Sequence, residues 1–363
     1  MVEPKYSGGV DAAGYEKVVN QFYPLIEKVA RQVISDVEVS DRLAMFNKAP
    51  IDKGTTIEEY CVELAQSTAY DPNDAEPYKM VDPSIKVRYY NDWTHKKFKQ
   101  TVRDNEVRKI LLADGNVARV SANIVASLTK GDIYEKYLAS RNLLKASYDD
   151  GYITKQAVVA KGDNKTILKT LKNIVDGMSF ANADYNVAKI VRETPKNRVY
   201  ILMPYWIKNE IDVDELAGVF NLEKAEIKNK IISIDSGNII YVIDEYSLLI
   251  FTRLYQMASM PYNADALSKN FVLHTDRLYA MSGLFDATAL PLGDKITVTA
   301  GENGTATAPE MGTWGEKIEL TITPAASHTV KAVTVNGEAI TAVGGKYSFI
   351  MPNEEAKVNV TFN

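Results

Sequence analysis

The chain of 363 residues has one cysteine, Cys61, and three histidines, His95, His274 and His328. A single thiol excludes an intrachain disulfide and a thiolate metal cluster within one subunit. Three histidines scattered along the sequence argue against an imidazole metal site, so no metal and no cofactor is expected. No run approaches the roughly 18 apolar residues of a membrane-spanning helix. The opening MVEPKYSGGVDAAGYEKVVNQ has neither the basic nor the apolar region of an export signal. These absences predict a chain made and kept in a cytoplasm, with no membrane partner. Charge is also scarce in net terms: 42 Lys plus Arg against 47 Asp plus Glu leave −5, which demands no polyelectrolyte partner.

Catalytic patterns are missing too. There is no phosphate-binding Gly-Lys-Ser/Thr loop, no dinucleotide-type glycine run and no nucleophile elbow. Ser127 and Lys130 keep a Ser-x-x-Lys spacing, but the companion elements of acyl-enzyme hydrolases are absent, and the pair reads as an exposed helical turn. Asp71, Asn73, Asp74 and Glu76 offer oxygens without the spacing of a calcium loop and read as a solvated turn. Cys61 reads as a small buried hydrophobe. The chain is not expected to be an enzyme.

What is present divides at Asp294. The last 70 residues contain no Arg and one Leu, Leu320, but eleven Thr. Their short β-branched runs, separated by Gly, Asn and Pro, predict a small all-β domain over 294–363. The preceding body predicts an α+β fold. An amphipathic helical arm is expected in Tyr15–Ile34, a helix capped by Asp104, and one long helix, or two meeting at Gly131, in Asn116–Ser147. A further helix over Asn164–Asp176 has Asp163 as its cap and Gly177 as its stop. From Arg198 onward, strand-like runs such as RVYILMP, KIISID, NIIYVID, YSLLIFTRLYQ and NFVLHTDRLYAMSG alternate with helical pieces around Asp212–Lys228.

Between arm and long helix, Thr56–Leu64 and Ile85–Asn91 read as a two-stranded β-ribbon with a long irregular tip. Such a ribbon is marginal alone, because it has no second layer against which to bury apolar side chains. Its first strand is acidic (Glu58, Glu59, Glu63), and its second strand and continuation are basic (Lys86, Arg88, Lys96, Lys97, Lys99). These charges either pair within one subunit or steer a neighbouring copy into register. Tyr70, Tyr78, Tyr89, Tyr90 and Trp93 either anchor an interface or stabilise the ribbon's own base. The intersubunit contact candidates are Glu58, Glu59, Glu63, Tyr70, Tyr78, Lys86, Arg88, Tyr90 and Trp93.

The order of arm, ribbon, long helix, mixed domain and final long strands resembles the major capsid proteins of tailed bacteriophages. The segments TIEEYCVELAQSTAYDP, DWTHKKFKQTV and GDIYEKYLASRNLL look most like those of small short-tailed phages of Gram-positive hosts. That resemblance implies the Johnson fold over 1–291: arm 1–47, extended loop 48–99, peripheral domain 100–150 and 245–291 with the spine helix, and axial domain 151–244. The tail, with ITVTAGENGTATA, VTVNG and YSFIMPNEEAKVNVTF, resembles internalin B-repeat and immunoglobulin-like modules. The resemblances imply a head protein that self-assembles through pentamers and hexamers into an icosahedral shell around double-stranded DNA, without reading its sequence. They further imply scaffold and portal partners, assembly in the host cytoplasm, a place in the virion, and an outward-facing C-terminal decoration with a host-surface glycan as its ligand. Two other readings stand beside this one: a cell-surface or glycan-binding protein carrying a repeat module, and a capsid-like cargo compartment.

Overall fold

The computed structural model describes residues 41–67, 80–103, 117–211 and 230–363. The expected helical arm, the helix after Asp104, the helical pieces of 212–228, the acidic turn from Asp71 to Glu76, and Tyr70 and Tyr78 lie outside the described residues.

Along the chain run strands β1 (Ile57–Val62), β2 (Ile85–Tyr90) and β3 (Trp93–Arg103), helix α1 (Val117–Asp149), short strands β4 (Thr154–Lys155) and β5 (Val159–Ala160), and helix α2 (Asn164–Met178). There follow β6 (Val199–Pro204), the short helix α3 (Tyr205–Glu210), β7 (Ile231–Ile234), β8 (Ile239–Asp244), β9 (Leu248–Ser259), β10 (Ser268–Met281) and β11 (Ala287–Ala300). The last strands are β12 (Gly304–Thr307), β13 (Met311–Gly312), β14 (Lys317–Pro324), β15 (Val330–Val335), β16 (Glu338–Ile340), β17 (Tyr347–Ile350) and β18 (Ala356–Phe362). The chain divides into two compact units. The first takes residues up to Glu58, then Tyr89–Leu143 and Leu249–Ala280; the second takes Glu59–Arg88, Leu144–Leu248 and Met281–Asn363.

In the first unit, β3, β10 and β9 form a three-stranded sheet, with β10 antiparallel to β3 from Ser268↔Arg103 to Leu278↔Trp93. Helix α1 is a single rod of 33 residues, ~50 Å at the usual rise. It runs through Gly131 without a break, with Phe98 packed against that turn. The helix buries Leu128, Asp132, Lys136, Ser140 and Leu144, one residue in four along a single stripe. Three of these five are polar, so the stripe needs partners. Asp132 receives both guanidinium nitrogens of Arg277, with Nη2 at 2.8 Å, and Lys136 donates to Asp41 and, at 3.0 Å, to Asn47. Burial pushes the Lys136 ammonium below its ordinary pKa, while Asp41 pulls it back up.

In the second unit, α2 begins where expected: the Asp163 carboxylate accepts from Thr166 N at 3.1 Å. The helix passes Gly177 and ends at Met178. Gly177 is there for space, since a Cβ would overlap the Tyr185 hydroxyl. Ile167, Leu171, Ile174, Val175 and Met178 from α2 are buried in one core with Val199, Ile201, Ile240, Val242 and Leu290 from the strands. Each such side chain contributes about 1.5–3 kcal/mol over leaving it exposed.

The strand β11 holds this unit together. Its first half pairs antiparallel with β8 and parallel with β4 and β5; its second half pairs parallel with β18 and antiparallel with β13. Residues 287–293 are all buried, whereas 296–300 alternate between inward and outward positions. The composition therefore changes at Asp294 while the strand itself continues. Beyond it, Ile296, Ile318, Val333, Phe349, Met351, Val358 and Val360 form the small all-β core.

Two outcomes test these roles. Gly293 sits where β11 passes from one set of partners to the next, and an added Cβ would meet Gly312 O and Val158 Cγ1 at 2.6 Å. Val158 can turn aside but a backbone carbonyl cannot, so Gly293→Ala should cost about 1–3 kcal/mol in denaturant unfolding. Asp132→Ala leaves the buried Arg277 unpaired and should cost about 3–5 kcal/mol by the same measurement.

Candidate assembly surface

The alternation of β1 and β2 sorts their side chains by face. On β1, Ile57, Glu59 and Cys61 are partly buried while Glu58, Tyr60 and Val62 are exposed; on β2, Lys86, Arg88 and Tyr90 are partly buried while Ile85, Val87 and Tyr89 are exposed. The ribbon thus carries most of its charge inward, with Glu58 the exception, and turns Tyr60, Val62, Ile85, Val87 and Tyr89 outward, against the usual polarity of a half-buried strand.

The inward charges are held by the chain itself. Lys86 Nζ lies 2.6 Å from Glu63 Oε1 and donates to the carbonyl of Ala188. Ser282 donates its hydroxyl to Glu59. The Arg88 guanidinium fills the space beside Gly283, where a Cβ would meet it at 2.5 Å, and lies 6.0 Å from the Tyr152 ring centroid. Glu58 is exposed and accepts from the Tyr89 hydroxyl at 3.4 Å. Tyr90 and Trp93 pack at the ribbon's base in a cluster with Ile57, Phe251 and the buried Leu249, Leu278 and Ala280, and the Arg253 guanidinium stacks 4.3 Å over Trp93. Cys61 is half-buried with Sγ 3.6 Å from Val62 O. Ser127 and Lys130 are exposed on α1.

The structure therefore brings Glu59, Glu63, Lys86 and Arg88 into contacts within the chain, and Tyr90 and Trp93 into the base of the ribbon. The residues that face outward are others. Tyr60 is 69% exposed, Leu64 68% and Tyr89 66%; Val62, Ile85 and Val87 are exposed with them, as are Met80 and Val81 before β2. Exposed apolar residues in such number mark an interaction surface. Its signal was in the sequence, in the even positions of EEYCVEL and the odd positions of IKVRYY. Sequence pattern alone says which residues share a face, not which face meets the body.

A second concave feature lies on the small all-β region. A cleft of about 560 Å³ is lined by Asn336, Gly337, Glu354, Glu355, Lys357 and Asn359. Asn336, in the left-handed region at φ 48°, accepts from Lys357 N at 2.7 Å and donates to Glu355 O at 3.1 Å.

Comparison with known proteins matches residues 8–290 to the Phi29-like phage major capsid protein family and residues 295–363 to the divergent InlB B-repeat domain. The chain is 24% identical over 344 residues to the major capsid protein of Bacillus phage GA-1, covering 87% of this chain and 71% of that one. It is 21% identical over 297 residues to the major capsid protein of Bacillus phage B103, covering 77% and 65%. The chain thus spans about two thirds of the length of these curated relatives. The capsid structure of Staphylococcus phage Andhra superposes with a TM-score of 0.60 at 13% identity, covering 70% of this chain and 85% of that one. The shared fold is the α+β capsid fold expected from the order of elements.

The inward charge pair has a pH signature. Hydrogen bonds from Lys86 and then Ser84 hold the Glu63 carboxyl below its ordinary range. A carboxylate lowered on folding stabilises above its unfolded pKa and loses that contribution as pH falls through its folded one. Amide protection of β1 and β2 in hydrogen exchange should therefore decline below about pH 4, and Lys86→Met should flatten that decline.

Proposed function

Because the chain belongs to the Phi29-like phage major capsid protein family, we propose that its copies close into an icosahedral phage head, with the outward face of the β1–β2 ribbon docking on a neighbouring copy. The observation that carries this reading is the ribbon's inverted polarity. An exposed two-stranded ribbon with Tyr60, Val62, Leu64, Val87 and Tyr89 turned to solvent is costly to a monomer, and burying it against another subunit removes that cost. Obligate interfaces of this kind bury more than roughly 2,000 Å² and repeat by symmetry, so no single contact has to be strong.

In this reading the inward pairs of Glu63 with Lys86 and Glu59 with Ser282 hold the ribbon in a docking-ready pose. The ordering cost of assembly is then smaller than for a free loop. Pentamers and hexamers of the chain enclose double-stranded DNA by confinement, and scaffold and portal proteins are its partners during assembly in the host cytoplasm. The B-repeat-like region is carried outward as a decoration. Its polar cleft, with amides, carboxylates and Lys357, suits a hydroxyl-rich ligand such as a host-surface glycan. The chain acts as a structural subunit and catalyses no reaction.

Expression of the full chain followed by sedimentation and negative-stain microscopy tests the reading. Wild-type protein should give shells, tubes or rings. The double variant Tyr60→Asp with Val62→Asp, on the outward face, should stay folded by circular dichroism and sediment as small species. Retained assembly by that variant would sink the docking role of the ribbon.

A further inference from the structure

Two of the three histidines meet in the fold. His95 lies on β3 and His274 on β10, 179 positions apart in sequence, yet His95 Nε2 and His274 Nδ1 are 3.4 Å apart. The register sets His95 opposite Asp276 and His274 opposite Lys97, so all four rise from one face of the sheet. The two rings are 5.6 Å apart at their centroids and inclined by 35°. Behind them, the other nitrogen of His95, Nδ1, lies 4.0 Å from Asp276 Oδ2, and the Asp276 side chain is only 6% exposed. Asp276 Oδ2 accepts from Arg253 Nε at 2.7 Å, while its Oδ1 is buried without a hydrogen-bond partner.

We propose that His95 and His274 form a two-nitrogen site for a divalent transition cation of the zinc, nickel or copper class. Bonds of about 2.0–2.1 Å to imidazole nitrogens in a tetrahedral arrangement set those nitrogens about 3.3–3.4 Å apart, which is the spacing found here. Neutral imidazoles select such cations over magnesium and calcium, which prefer oxygen. Asp276, 4.0 Å behind His95 Nδ1, puts a negative charge next to the site without ligating the metal. His95 is 53% exposed, so the remaining coordination positions are open to water. No group of three or more His, Cys, Asp or Glu side chains among the described residues is arranged for a metal, so two protein ligands are what the site offers. Lys97 on the same face and Arg253 beside Asp276 oppose a cation and hold the affinity to a moderate level.

Zinc chloride titrated into the full chain near neutral pH, followed by calorimetry, tests the site, with copper(II) paramagnetic resonance to count bound nitrogens. One ion per chain and a two-nitrogen copper spectrum are expected. His274→Ala and His95→Ala should each weaken zinc binding at least about tenfold, with unchanged circular dichroism, and His328→Ala should leave it as in the wild type. Zinc affinity that survives the double variant His95→Ala with His274→Ala, or no binding to the wild type at millimolar zinc, overturns the proposal. The copper spectrum of the wild type decides the matter even if a variant fails to fold.

Discussion

The second unit depends on a single strand that joins two sets of partners into one ten-stranded sheet. The first seven residues of β11 are buried on both faces between β8 and the short strands β4 and β5; the rest alternate against β18 and β13. A strand cannot change its neighbours without a point where two backbones crowd, and Gly293 and Gly312 supply it. Beside that point, Lys161 Nζ reaches Asp294 at 2.5 Å and Asn353 at 2.8 Å. The B-repeat-like region is therefore tied on by a continuous hydrogen-bonded ladder with a polar clasp. A region borne this way keeps a fixed orientation to the strands that carry it, as a flexible linker would not.

The ribbon follows a different logic. Two strands cannot bury apolar side chains on each other, so one face must find a partner elsewhere. This chain gives the charged face to itself and leaves the apolar face open. A charged inner face has its partners in Glu63 with Lys86, Glu59 with Ser282 and Arg88 beside Gly283. Hydrogen-bonded ionic contacts need correct geometry, so they fix a pose, whereas apolar contacts are not directional. The division of labour explains why Glu59, Glu63, Lys86 and Arg88 are turned to the body of the chain, while Glu58 stays exposed.

Polar burial recurs in the first unit. The α1 stripe carries Asp132 and Lys136 where an amphipathic helix would carry leucines, and each finds an opposite or amide partner on another segment. Such pairs add little net stability over apolar packing, but they penalise a helix rotated or shifted by one position, because each misplaced charge would be left buried alone. The sheet that carries Arg277 also sets His95 beside His274, so one strand, β10, contributes to both the buried ion pair and the imidazole pair.

Much of this was readable from residues alone. Asp163 as a cap, the helix from Asn164, the helical pattern over Asn116–Ser147, the buried runs after Arg198 and the two ribbon strands are local consequences of periodicity, capping chemistry and strand composition. That pattern leaves open whether the helix breaks at Gly131, and the structure shows one helix. The shift at Asp294 marked the change from a doubly buried to an alternating strand. What stayed hidden was non-local. Gly177 looked like a helix stop, but the Tyr185 hydroxyl is what requires it. The ribbon's alternation defined two faces without saying which one the body would take, since that depends on Ala188, Ser282 and Gly283, far along the chain. Scattered histidines spoke against a metal site until strand pairing brought two of them within 3.4 Å. The sequence by itself determined the elements, because helices and strands are set by neighbours a few residues away. Only the tertiary structure decided orientation and juxtaposition, because those are set by contacts between segments that the order of residues does not bring together.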